Sequence, residues 1–176
     1  DMKRFLIFVF ILFSCNNEEK YEARWDSLDS RSTPQWFKDA KFGIFIHWGL
    51  YSVPAWGPKG SYAEWYLNGL LNGDTARTEY HSKHYGEDFH YREFINLFNP
   101  TKYDPDRWAN LFHKAGAKYI VLTSKHHDGF CLWPSEHSQG YNSIDGKANR
   151  DLLGDLNKAV KNEGMRSGFY YSLYEW

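Results

Sequence analysis

A helix signal followed by a buried-strand signal occurs twice in this chain, and that repeat limits the folds open to it. Asp104 stands as an N-cap before Pro105 at the first helical position. Trp108, Leu111, Phe112 and Ala115 follow at i, i+3, i+4 and i+7, one apolar helical face. Gly116 stops the helix, and residues 119–123 form a near-continuous apolar run. The pattern recurs about 48 residues later. There Asn149 is the expected cap, and Leu152, Leu156, Ala159 and Val160 line one face. Gly164 ends that helix before the next strand, residues 168–173. Strands of this kind suit a parallel sheet covered on both faces, and alternating helix and strand builds such a sheet through crossovers.

An earlier strand, residues 42–46, ends in His47-Trp48-Gly49, where Gly49 is expected to let the backbone turn sharply. Ser61 is the expected cap of a short helix through Ala63, Glu64, Trp65, Tyr66 and Leu67. Residues 72–90 are polar and His-rich and are expected to form a long loop, with another short helix at 89–98. Residues 21–41 are polar and irregular, broken at Thr33-Pro34.

A doubly wound sheet and a TIM barrel both fit the alternation. No Gly-x-Gly-x-x-Gly opens a helix after a strand, so the nucleotide-binding sheet lacks its main support. Chemistry-bearing residues gather at the C-terminal ends of the strands instead: His47-Trp48, His126-His127-Asp128, and Tyr170 through Trp176. Barrel enzymes keep their sites there. The expected fold class is α/β, the N-terminal half of a (β/α)8-like TIM barrel that is incomplete at its C-terminus.

Lys plus Arg number 21 and Asp plus Glu 22, so the net charge is −1. That balance argues against nucleic acid as a partner. Aromatic residues make up 19% of the chain, including 8 Trp, which argues against disorder and suits flat sugar-binding faces. The two cysteines, Cys15 and Cys131, form no disulfide framework.

The first residues have the pattern of an export signal. Lys3-Arg4 is a basic head, and residues 5–13 are an unbroken apolar run, too short to span a bilayer as a helix. Ser14-Cys15 resembles the end of a bacterial lipobox, with Phe13 bulky for its place. The expected organisation is a signal peptide at 1–15, a tether and lead-in at 16–32, and a partial catalytic barrel domain at 33–176. Cys15 is the expected lipidation site. The expected location is the periplasm, outer membrane or surface of a Gram-negative cell, with that lipid anchor as the membrane contact.

His126-His127-Asp128-Gly129-Phe130 follows a strand, so adjacent imidazoles can aim into one pocket. Neutral imidazole offers one donor and one acceptor, matching sugar hydroxyls. His and Asp also suit a metal, with His47, His81, His84 and His90 as further ligands, although no His-x-x-x-His pair on a helix supports one. Glu64 can hold two hydroxyls and Trp65 can stack on a pyranose face. Tyr170 and Tyr171 alternate in a strand, so one of them faces inward.

Taken together, several separate words resemble the family 29 glycoside hydrolases, the α-L-fucosidases. They are residues 42–49, Glu64-Trp65-Tyr66, residues 125–130, Trp133-Pro134, Arg150-Asp151-Leu152 and residues 170–176. The resemblance covers roughly residues 25–176 in the family's order. It implies a barrel that hydrolyses terminal α-L-fucose from fucosylated oligosaccharides or glycoconjugates with retention, without a cofactor or metal. It implies His47, Glu64, Trp65, His126, His127 and Tyr170 as the fucose pocket, with Tyr170 preferred to Tyr171. Retaining glycosidases use two carboxyl groups about 5 Å apart. In the family both come later in sequence, so the resemblance puts the nucleophile and the acid/base beyond Trp176 and leaves Asp128 and Glu175 without that role. The expectation is a fragment inactive alone, from an active parent. The alternatives are a non-catalytic fucose-binding surface lipoprotein and a metal-dependent barrel hydrolase.

Overall fold

The fold is that of a computed structural model, described for residues 21–176. Cys15 and the expected signal segment lie outside the described residues. The chain divides between Gln35 and Trp36 into two compact units. In the first, α1 (Trp25–Asp29) is a short exposed helix, and Arg24 pairs with Glu22 at 2.8 Å. A second helix, α2 (Gln35–Ala40), follows. The stretch expected to be irregular therefore holds two helices, each too short to show a periodic apolar stripe.

The larger unit is built on three parallel strands, β1 (Gly43–Ile46), β2 (Tyr119–Lys125) and β3 (Arg166–Tyr171), in the order β1-β2-β3. The register pairs Phe45 with Val121, Val121 with Gly168, and Thr123 with Tyr170. Side chains alternate across a strand. One face thus carries Ile44, Ile46, Ile120, Leu122 and Phe169, and the other carries Phe45, Val121 and Tyr170.

The first of these faces is covered by helices. α5 (Pro105–Lys114) is capped by Asp104, whose carboxylate accepts from the Arg107 amide at 3.0 Å, and Gly116 at φ 91° follows its end. Only Gly enters that left-handed region without strain. Ala109 is fully buried, with Trp108 and Phe112 half-buried beside it, while Leu111 is 62% exposed. The buried stripe is thus centred on Ala109, which turns Leu111 and Ala115 outward; the expected stripe was offset from it. α6 (Leu152–Asn162) buries Leu152, Leu156, Ala159 and Val160 as expected. Each fully buried Leu of that face contributes about 1.5–3 kcal/mol. The cap of α6 is Asp151, which accepts from the Gly154 amide at 2.8 Å. Asn149 sits at φ 44° two residues earlier, in the turn leading to that cap.

The 72 residues between β1 and β2 hold a compact insertion. It contains a 3-10 turn (Ala63–Trp65), α3 (Tyr66–Leu71), α4 (Thr75–Tyr85) and a 3-10 helix (Tyr91–Asn96). Helix α4 replaces the expected loop. Asp74 caps it by accepting from the Arg77 amide at 3.2 Å, and Gly86 ends it at φ 98°. Its buried residues are Arg77 and His81, so its inward face is polar and shows no hydrophobic period. Ser61 does not cap the helix after it; its hydroxyl accepts from Arg77. Phe94 is fully buried at the centre of an aromatic cluster with Tyr66, His81, Tyr85, Phe89 and Tyr91.

Candidate active site

The strand ends bring three of the expected residues together. His47 follows β1, His126 follows β2, and Tyr170 is near the end of β3. Their ring centroids lie 5.6 Å (His47–His126), 5.9 Å (His47–Tyr170) and 6.1 Å (His126–Tyr170) apart. Tyr170 shares its sheet face with Phe45, at 5.7 Å. Tyr171 points elsewhere: its ring lies under the Lys125 ammonium at 4.4 Å and beside Trp133 at 6.2 Å.

Thr123 fixes the exit of β1. Its buried hydroxyl accepts from the Trp48 amide at 2.9 Å and donates to the Trp48 carbonyl at 3.0 Å. That double bond sets the residue next to His47. The chain bends at Gly49 into the 3-10 turn Leu50–Ser52, as expected, but with an extended φ of 175° that any residue can adopt. Its bareness serves a close approach instead, because a Cβ there would stand 3.0 Å from the Tyr51 ring.

His126 is 5% exposed, and its Nδ1 is buried without a hydrogen-bond partner. Burial, then the neighbouring His127 and His47, pushes its imidazole down to about 4. It is therefore neutral across the physiological range. His127 contacts the Tyr174 carbonyl through Nδ1 at 2.7 Å. A carbonyl only accepts, so Nδ1 is the donor in this contact and Nε2 is left to face the site. The Trp176 amide donates to the His127 carbonyl at 3.0 Å, tying the two strand-end segments together.

Trp65 forms the rim. It is 44% exposed, 6.5 Å from His127 and 5.3 Å from Trp176, and Trp176 stacks on His127 at 5.1 Å. Trp176 thus extends the aromatic wall. Its signal was present in the terminal Glu-Trp word, but no spacing rule assigned it a place. Tyr51, also missed, packs on His126 at 5.3 Å. Burial pushes the Tyr51 hydroxyl far up, and the carboxylates of Asp128 and Glu64 add to it.

The two other carboxylates near the site are already engaged. Asp128 accepts from the Tyr91 hydroxyl at 2.7 Å and from the Phe130 amide at 3.3 Å, and burial pushes its carboxyl up to about 6. Glu175 pairs with Lys125. Among the described residues no three His, Cys, Asp or Glu side chains converge as a metal set would, and no helix is long and apolar enough to cross a membrane. The arrangement offers imidazoles and a carboxylate for hydroxyl groups, and indole faces for an apolar ring surface.

Relatives of known sequence and structure match most of this chain. A family model described as alpha-L-fucosidase matches residues 9–176. The alpha-L-fucosidase of Dictyostelium discoideum is 46% identical over 99% of this chain and 39% of its own length. The tissue alpha-L-fucosidase of Bos taurus is 44% identical over 92% of this chain and 34% of its own. The Thermotoga maritima alpha-fucosidase crystallised in complex with fucose is 51% identical. It superposes with a TM-score of 0.80 over 87% of this chain and 37% of that one. A Bacteroides thetaiotaomicron alpha-L-fucosidase is 37% identical with a TM-score of 0.66, over 83% of this chain and 31% of that one. The chain thus spans between a third and two fifths of the length of these curated relatives. Its parallel α/β fold is similar to part of their catalytic domains. With identity at this level running through almost all of its length, the chain belongs to the alpha-L-fucosidase family.

Proposed function

We propose that these residues form the fucose-binding half of a retaining α-L-fucosidase, which releases terminal α-L-fucose from fucosylated oligosaccharides or glycoconjugates. The observation that carries the reading is the convergence of His47, His126 and Tyr170 at three parallel strand ends, beside the Trp65–Trp176 wall. In this reading His47, Glu64, His126 and His127 hold the sugar hydroxyls. Trp65 covers an apolar face of the ring, and Tyr170 lines the floor. The full fold is a (β/α)8-like barrel in which β1, β2 and β3 are part of the ring. The nucleophile and the acid/base are carried by sequence that follows Trp176. Supporting this, Asp128 is held by Tyr91 and Glu175 by Lys125, so neither is a free carboxylate beside a partner.

The test is turnover of a chromogenic α-L-fucoside by the 176-residue chain and by a longer product that continues past Trp176. Activity in the longer form alone is the expected result. Activity in the 176-residue chain would contradict the placement of the nucleophile.

Export with lipidation at Cys15 is proposed from Lys3-Arg4, the apolar run 5–13 and the Ser14-Cys15 junction. It places the enzyme in the periplasm, outer membrane or surface of a Gram-negative cell. Labelling with a radioactive fatty acid, lost in Cys15→Ser, checks it.

A further inference from the structure

We infer that α4 is a polar clamp that sets Glu64 and Trp65 in the pocket, with Arg77 and His81 as its positioning residues; this rests on the fucose pocket proposed above. Arg77 and His81 lie one helical turn apart and are 4% and 7% exposed. From Arg77, Nη1 pairs with the Asp74 carboxylate, and Nη2 donates to the Ser61 hydroxyl at 2.5 Å and to the Tyr62 carbonyl at 3.1 Å. His81 accepts at Nδ1 from the Tyr66 hydroxyl at 2.9 Å and donates from Nε2 to the Phe89 carbonyl at 2.7 Å. The clamp therefore grips the chain on both sides of Glu64-Trp65: at Ser61 and Tyr62 before the pair, and at Tyr66 after it.

That pair needs an external support. It sits in a three-residue 3-10 turn with no side-chain cap. A single turn of this kind does not hold itself. No strand of the sheet leads directly into it, whereas His47 and His126 follow β1 and β2 without a break. The neighbouring packing is shaped around the arginine, because a Cβ at Gly69 would collide with the Arg77 side chain. The guanidinium also keeps Nε buried and unpartnered. Burying a charge with an unmet N–H is a poor way to gain stability. Its planar fork, which meets a hydroxyl and a carbonyl at once, supplies direction that a lysine cannot reproduce.

The test uses the full-length protein with Arg77→Lys, and with Ser61→Ala as a milder variant should the first fail to fold. Hydrogen exchange at amides 61–66 is expected to speed up about tenfold in Arg77→Lys and about threefold in Ser61→Ala, with amides of β2 unchanged. The affinity for free L-fucose is expected to fall about tenfold in Arg77→Lys and to fall no further when that change is added to Glu64→Ala. Unchanged exchange at 61–66 overturns the clamp, and so do additive losses of affinity in the double variant. If Glu64→Ala itself leaves L-fucose affinity unchanged, the pocket reading fails, and the exchange result still decides the clamp.

Discussion

The two halves of the candidate site are held by different physics. His47 and His126 directly follow two neighbouring parallel strands and Tyr170 lies in the third, so the sheet ladder anchors the chain beside all three. Glu64 and Trp65 stand on an insertion outside the sheet, where an arginine, a histidine and a cluster of aromatic rings do the same work. Backbone ladders are insensitive to which side chain occupies each position. Side-chain ties are not, so the insertion is the half that single substitutions can loosen.

The sharpest way to break this contrast is Phe94→Ala. Phe94 is fully buried among the insertion's rings, so its truncation is expected to lower stability by about 3–5 kcal/mol. Denaturant unfolding checks it. A loss below about 1 kcal/mol would show that the cluster does not hold the insertion.

Next in size is the pH response of the strand-end loop. The Asp128 carboxyl is raised by burial from 3.8 to about 6, so its contribution to stability is complete below its unfolded value and is lost as pH rises through about 6. His126 acts oppositely: its folded value of about 4 lies below 6.5, so its contribution is present above 6.5 and lost as pH falls through about 4. Asp128→Asn removes the first effect and leaves the second. Stability should then climb more steeply between pH 4 and 6 than in the parent, by on the order of 2–3 kcal/mol. Equal slopes in urea titrations across that range would refute the assignment.

On the ligand side, His126→Ala is expected to weaken L-fucose binding about tenfold to a hundredfold, the loss of one or two hydrogen bonds made in a buried setting. Titration calorimetry reads it directly. The smallest effect separates the two adjacent tyrosines. Tyr170→Phe should weaken binding by a few-fold at most, and Tyr171→Phe, which packs on Lys125 and Trp133, should leave it unchanged. The reverse order would place the wrong tyrosine in the pocket.

Legibility in the sequence follows the same divide. The strands and α6 were readable because Leu152, Leu156, Ala159 and Val160 repeat at helical spacing and residues 119–123 form an apolar run. The histidines were readable because they follow those runs directly. Helix α4 was not, because its buried face is Arg77 and His81, which a hydrophobic period cannot register. Leu111 misled for a related reason: an apolar residue next to a true stripe looks like part of it, and only the packing around Ala109 sets the centre. Trp176 and Tyr51 joined the site through contacts made across the fold, which no local spacing encodes.

The most direct measurement is a crystal structure of the full-length protein soaked with L-fucose. The account predicts the sugar between His47, His126 and Tyr170, with Glu64 on its hydroxyls and Trp65 against its apolar face. Fucose bound away from His126, or within reach of the histidines but not of Glu64 and Trp65, would contradict it.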